Sequence, residues 1–132
     1  MAGVWAFWAA LALAGSPSAL YFYSTTCPYC ELFEIFTLGD AEVDAELRAL
    51  PVRRIDTGEA EAPVIALVKE HRGYVTPTMV FLGPEGEELH RVTGYVYKGE
   101  FLCRLRYITG GHWREGGFKR YEEKQGACPA SQ

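Results

Sequence analysis

Hydrophobic positions along the chain fall into two patterns, unbroken apolar runs and helical spacings, and the two take turns. Residues 19–23 (ALYFY) form a short, nearly continuous apolar and aromatic run, which predicts a central strand covered on both faces. From Pro28, the apolar residues Leu32, Phe33, Ile35 and Phe36 recur at helical spacing; Pro28 suits a first turn and Gly39 a stop. Residues 40–50 read as an amphipathic helix with Asp40 as N-cap and Val43, Leu47 and Leu50 on one face, ended by Pro51. Residues 52–55 are a short strand and 56–58 a turn. Residues 61–71 carry Val64, Ile65, Leu67 and Val68 in a helical pattern that Gly73 can cap. Residues 78–82 (TMVFL) predict a second buried strand, 83–86 a turn, and 88–93 a hairpin partner. Residues 98–108 place Phe101, Leu102, Leu105 and Ile108 on one stripe before Gly110 and Gly111. A weaker helical segment at 118–124 and Cys128 follow.

This order, β-α-α-β-α-β-β and a closing helix, predicts an α/β fold. A parallel β-α-β start and an antiparallel hairpin make a central mixed sheet flanked by helices, with a C-terminal tail. No repeat or linker divides the chain, so 19–110 reads as the domain and 111–132 as a C-terminal extension. A length of 132 residues at 48% hydrophobic content is enough for a core without staples.

Charge narrows the function. The formal net charge of -4 leaves no excess of Lys and Arg for phosphates or anionic lipid, which argues against nucleic-acid partners. The first charged residue is Glu31. Before it, residues 4–14 (VWAFWAALALA) are an apolar run of signal-peptide length, followed by small, turn-prone residues at 15–19. Residues 1–18 are therefore expected to be a signal peptide or an N-terminal anchor, which implies a periplasmic or otherwise extracytoplasmic protein. The leader lacks a basic n-region, and Pro17 blocks some cleavage registers.

The candidate chemistry lies in Cys27-Pro28-Tyr29-Cys30, between the first strand and a helix start. At a helix N-terminus, unpaired N–H groups and the helix dipole favour a thiolate, so Cys27 is the expected nucleophile. Cys30, one turn on, can attack a mixed disulfide at Cys27 and release the partner. Half of a zinc site is the other use of this spacing; it needs two further ligands, and His71, His90, His112, Cys103 and Cys128 are scattered singly. No metal and no cofactor besides the dithiol is expected. A second signal is Thr76-Pro77 at the entry to the strand at 78–82. Proline there is often only an edge device.

Together these motifs resemble the thioredoxin-like superfamily over residues 20–108. YFYSTTCPYCELFE and VTPTMVFLGPEGEELHRVTGY are most similar to its small periplasmic members, including those found with bacterial sulfur-oxidation systems. The resemblance implies a nucleophilic Cys27, a resolving Cys30, and a cis Pro77 whose neighbour Thr76 offers its backbone to a substrate peptide, with Pro28 and Tyr29 beside the attacking sulfur. It implies a thiol–disulfide oxidoreductase acting on protein thiols, as a reductase and a monomer, recharged by a redox partner such as a membrane electron donor. Alternatives are a disulfide isomerase or oxidase, a glutaredoxin-like enzyme, and a non-catalytic adaptor. The sequence departs from thioredoxin where a buried aspartate precedes the nucleophile by six residues: that position is Tyr21, and Glu31 is a candidate to take over its proton-moving task. Cys103 reads either as a small buried hydrophobe or, in an oxidising compartment, as the partner of Cys128 in a structural disulfide.

Overall fold

The computed structural model describes residues 15–130, so residues 1–14 of the expected leader lie outside the described residues. Four strands form one sheet in the order β2-β1-β3-β4: β1 (Ser18–Tyr23), β2 (Val52–Asp56), β3 (Thr78–Leu82) and β4 (Glu88–Thr93). β1 runs parallel to β2, with Phe22 opposite Ile55, and antiparallel to β3, with Leu20 opposite Val80; β3 and β4 close the antiparallel hairpin. Because β1 and β3 are central, alternate side chains leave on opposite faces and both faces need cover. Ala19, Tyr21, Met79 and Phe81 join one apolar cluster, whereas Leu20, Phe22, Val80 and Ile55 form the other.

The helices cover these faces. They are α1 (Pro28–Phe33), α2 (Ala41–Leu47), α3 (Ala62–His71), α4 (Lys98–Thr109) and α5 (Phe118–Gln125). The α4 stripe reaches the core as the spacing predicts, with Phe101, Leu102, Leu105 and Ile108 all buried against Phe33 and Val43. Burying such a side chain stabilises the fold by about 1.5–3 kcal/mol. On the other face α3 supplies Val64, Leu67 and Val68, while Ile65 stays exposed. Gly73 follows directly, and a Cβ there would collide with the Phe22 ring, which explains the glycine. Among the described residues no helix is long and apolar enough to cross a membrane.

Two segments differ from the sequence expectation. The first helix does not run evenly to Gly39; after Phe33 it widens into a π-helical turn, Glu34–Leu38. Of Leu32, Phe33, Ile35 and Phe36 only Phe33 is buried, and Ile35 and Phe36 remain 56% and 60% exposed. Thr37 fills the core position, its hydroxyl donating to the Val96 carbonyl at 2.5 Å. The second helix stops at Leu47, three residues early, although Asp40 does cap it, accepting from the amides of Glu42 and Val43. The C-terminal extension packs on the domain: Phe118 and Tyr121 lie against Tyr107, whose hydroxyl donates to Gly116 O at 2.8 Å. Cys103 and Cys128 are joined as a disulfide with Cα atoms 5.6 Å apart.

Candidate functional site

The strand β1 leads directly into the Cys27 turn, and α1 starts there because Cys27 itself is the N-cap and Pro28 occupies the first turn. Cys27 keeps an extended backbone (φ -108, ψ 104), which turns its side chain back over the helix end. Its Sγ accepts the backbone N–H of Cys30 at 3.1 Å, the position an Asp or Ser oxygen takes at an ordinary cap. Cys30 lies behind it, 1% exposed, and the two sulfurs are bonded. Half-buried Cys27 meets solvent, so the pair has one accessible sulfur and one sheltered sulfur.

The loop before β3 completes the front of the site. Thr76 O lies 3.5 Å from Cys27 Sγ, the Thr76–Pro77 peptide is cis, and Pro77 is buried. Thr78 steadies this loop through its hydroxyl, which donates to Val75 O at 2.6 Å. Tyr29, next to the sulfur, and Tyr74 and Val75, next to Thr76, are 63%, 66% and 57% exposed. An apolar rim of this kind suits a polypeptide partner. Thus Cys27, Cys30, Thr76, Pro77, Pro28 and Tyr29 come together at one end of the sheet, while Cys103 and Cys128 sit apart on α4 and the extension.

The other flank mixes apolar surface with hydroxyl and carboxylate groups. A cleft of about 590 Å³ opens beside Cys27, lined by the hydroxyl run Ser24-Thr25-Thr26 and by Glu31, Glu34 and Ile35. Glu31 is exposed on the surface of α1. Glu34, one turn beyond Cys30, is instead fixed by Arg54 of β2, whose Nη2 donates to its Oε1 at 2.6 Å. The Arg54 guanidinium also lies over the rings of Tyr21 and Tyr23, 5.2 Å and 4.6 Å from their centroids. Tyr21 is 1% exposed, and burial, then the nearby Glu34 charge, raises its pKa. Sequence reasoning named Glu31 and missed Glu34 and Arg54. The i,i+4 spacing of Cys30 and Glu34 was the available signal; Arg54 lies on another strand and gave none. Among the described residues no three His, Cys, Asp or Glu side chains converge as metal ligands.

The arrangement is chemically a reversible two-electron couple, with an accessible sulfur stabilised by an N–H donor and a sheltered sulfur in bonding position. Comparison with known proteins agrees. Residues 9–109 match the thioredoxin-like domain family. The thiol:disulfide interchange protein DsbD of Yersinia enterocolitica is 35% identical over 103 residues, 76% of this chain and 18% of that protein. The DsbD of Haemophilus ducreyi is 31% identical over 96 residues, 71% of this chain and 17% of that protein, so the chain spans under a fifth of these relatives. Among solved structures, a thioredoxin from Thermus thermophilus is 34% identical with a TM-score of 0.63, covering 76% of this chain and 81% of that one. The oxidised C-terminal domain of Neisseria meningitidis DsbD shares the fold at 24% identity and a TM-score of 0.65, covering 80% of this chain and 95% of that one. The chain belongs to the thioredoxin-like domain family.

Proposed function

We propose that the protein reduces protein disulfides outside the cytoplasm, with Cys27 as nucleophile and Cys30 as resolving thiol. The observation that carries this reading is the pairing of a half-exposed Cys27, held by the Cys30 amide, with a Cys30 that is 1% exposed behind it. Attack by Cys27 on a substrate disulfide forms a mixed disulfide, and attack by Cys30 on Cys27 releases the reduced product. Thr76 and Pro77, with Pro28 and Tyr29, form the surface along which the substrate lies. No cofactor beyond the dithiol enters this cycle.

Two features support an extracytoplasmic site of action. The Cys103–Cys128 disulfide is of the kind that persists in oxidising compartments, and residues 4–14 have the composition of an export signal. The relatives bear the name thiol:disulfide interchange protein, which supports a partner that recharges the dithiol, such as a membrane electron donor.

Reduction potential tests the direction. A couple near -270 mV, about that of thioredoxin, marks a reductant, and one near -120 mV an oxidant. Accelerated reduction of insulin by dithiothreitol, abolished in Cys27→Ser, is the accompanying activity; a protein that leaves that reaction unaccelerated is an adaptor.

A further inference from the structure

The α3 helix runs into the loop that carries Thr76, and its last carbonyls need partners, because a helix end leaves C=O groups unpaired within the helix. Arg91 of β4 supplies two of them. It stands opposite Val80 of β3, so its side chain leaves the sheet on the face that α3 covers. Its Nη2 donates to His71 O, and its Nη1 donates to Arg72 O at 3.3 Å. Glu88, on the same strand, orients the guanidinium: its Oε1 accepts from Nη2 at 2.7 Å and its Oε2 from Nε at 3.2 Å.

From there to the reactive pair the chain is short and held at both ends. Arg72 takes a left-handed conformation (φ 53, ψ 45) that an L residue rarely adopts, and Gly73 lies against the Phe22 ring. Pro77 closes the other end, its carbonyl accepting from the Gly94 amide at 2.7 Å, and the Thr78 hydroxyl holds Val75 O. Between these anchors stand Tyr74 and Val75, both exposed, and Thr76, whose carbonyl lies 3.5 Å from Cys27 Sγ. A single residue, Gly73, thus separates the carbonyls that Arg91 holds from the exposed pair. We propose that Arg91, oriented by Glu88, is a positioning residue for substrate binding: it fixes the arm at 72–77 so that Tyr74 and Val75 meet a polypeptide laid along Thr76. This rests on the reductase reading above.

An arm fixed before binding loses less conformational freedom on binding than a loose one does. The benefit goes to affinity for a chain long enough to touch the arm, and not to the sulfur exchange itself. Loosening the clamp therefore raises the KM for a protein disulfide more than it lowers kcat. The planar guanidinium serves two carbonyls and a carboxylate at once, whereas a lysine, a point charge without that fork, serves only part of the set.

The test uses the full-length protein and two substrates: insulin, reduced under dithiothreitol, and dithiobis(nitrobenzoate), which has no polypeptide chain to lie on the arm. Arg91→Gln is expected to raise the KM for insulin about fivefold, with a smaller loss toward dithiobis(nitrobenzoate). Arg91→Lys should recover part of that KM. Glu88→Gln should show the same signature at smaller size, and it decides the matter if Arg91→Gln does not fold. Tyr74→Ala, at an exposed position, should raise the same KM. In the combined Arg91→Gln and Tyr74→Ala variant the increase should fall short of the product of the two single increases, because both act on one contact. An unchanged KM in Arg91→Gln or Tyr74→Ala, increases that multiply, or an equal loss toward both substrates overturns the proposal. Wild-type protein that releases no thiolate from dithiobis(nitrobenzoate) overturns the reductase reading, and the proposal with it.

Discussion

The amide of Cys30 donates to Cys27 Sγ across 3.1 Å, tying the attacking sulfur to the backbone of the turn that carries its partner. A hydrogen bond to the charged form of a group favours that form, and here the donor sits at a helix start. Cys27 is therefore expected to alkylate with iodoacetamide at neutral pH faster than an ordinary thiol of pKa about 8.5. In Cys30→Ser the first attack should survive and the mixed disulfide accumulate, visible as an adduct by intact mass; Cys27→Ser should give no adduct. Equal labelling of both cysteines in the reduced protein would show that the geometry does not discriminate them.

The Cys103–Cys128 bond ties α4 to the end of the extension, and neither cysteine belongs to the reactive pair. Closing a loop of this sequence separation, 25 residues, stabilises a fold by roughly 3–4 kcal/mol in the chain-entropy picture. Cys128→Ser should lower the urea midpoint accordingly and leave insulin reduction intact where the protein is folded. Alkylation without reductant, read by intact mass, should find no free Cys128.

How far the sequence anticipates this molecule depends on how local each signal is. β1, the hairpin and the α4 stripe were legible because their apolar runs are continuous or evenly spaced, and the reactive pair because its four residues are adjacent. The π-helical turn was not legible. Leu32, Ile35 and Phe36 looked like core by spacing, yet the core position belongs to Thr37, whose hydroxyl is satisfied only by Val96, 59 residues away. The back of the site was hidden for the same reason: Glu34 and Arg54 meet only once β2 is laid beside β1.

That Thr37 contact gives a stability prediction. Replacing the hydroxyl by a methyl group in Thr37→Val preserves shape and leaves the Val96 carbonyl buried without its donor. An unsatisfied buried group of this kind costs about 1–3 kcal/mol. Thr37→Ser, which keeps the donor, should lose less, and chemical denaturation of the two variants checks the order. A Thr37→Val protein as stable as wild type would show that the bond contributes nothing net.

His90 supplies the pH dependence. It lies against Phe81 and Phe118, with ring centroids 6.4 Å and 4.2 Å away, and its Nε2 sits 3.0 Å from Nη1 of Arg104. An arginine only donates, so Nε2 accepts and the ring is neutral. Burial first, then the Arg104 charge, lowers the His90 pKa from 6.5 to about 4, while Glu122 and Glu88 oppose the shift. The folded protein thus binds this proton more weakly than the unfolded chain does, and protonation favours unfolding. The stabilisation is present in full above about pH 6.5 and is lost as pH falls toward 4, by at most about 3 kcal/mol. Urea unfolding of wild type should therefore show a falling midpoint between pH 7 and 4.5, and His90→Gln, which can still accept from Arg104, should show a shallower fall. Glu88 and Asp40, whose pKa values are lowered by Arg91 and Lys98, also lose stabilisation on acidification, but they do so in both proteins and cancel in the comparison. Identical slopes in the two proteins would mean that the ring is already protonated in the fold and that the Arg104 contact is not the one described.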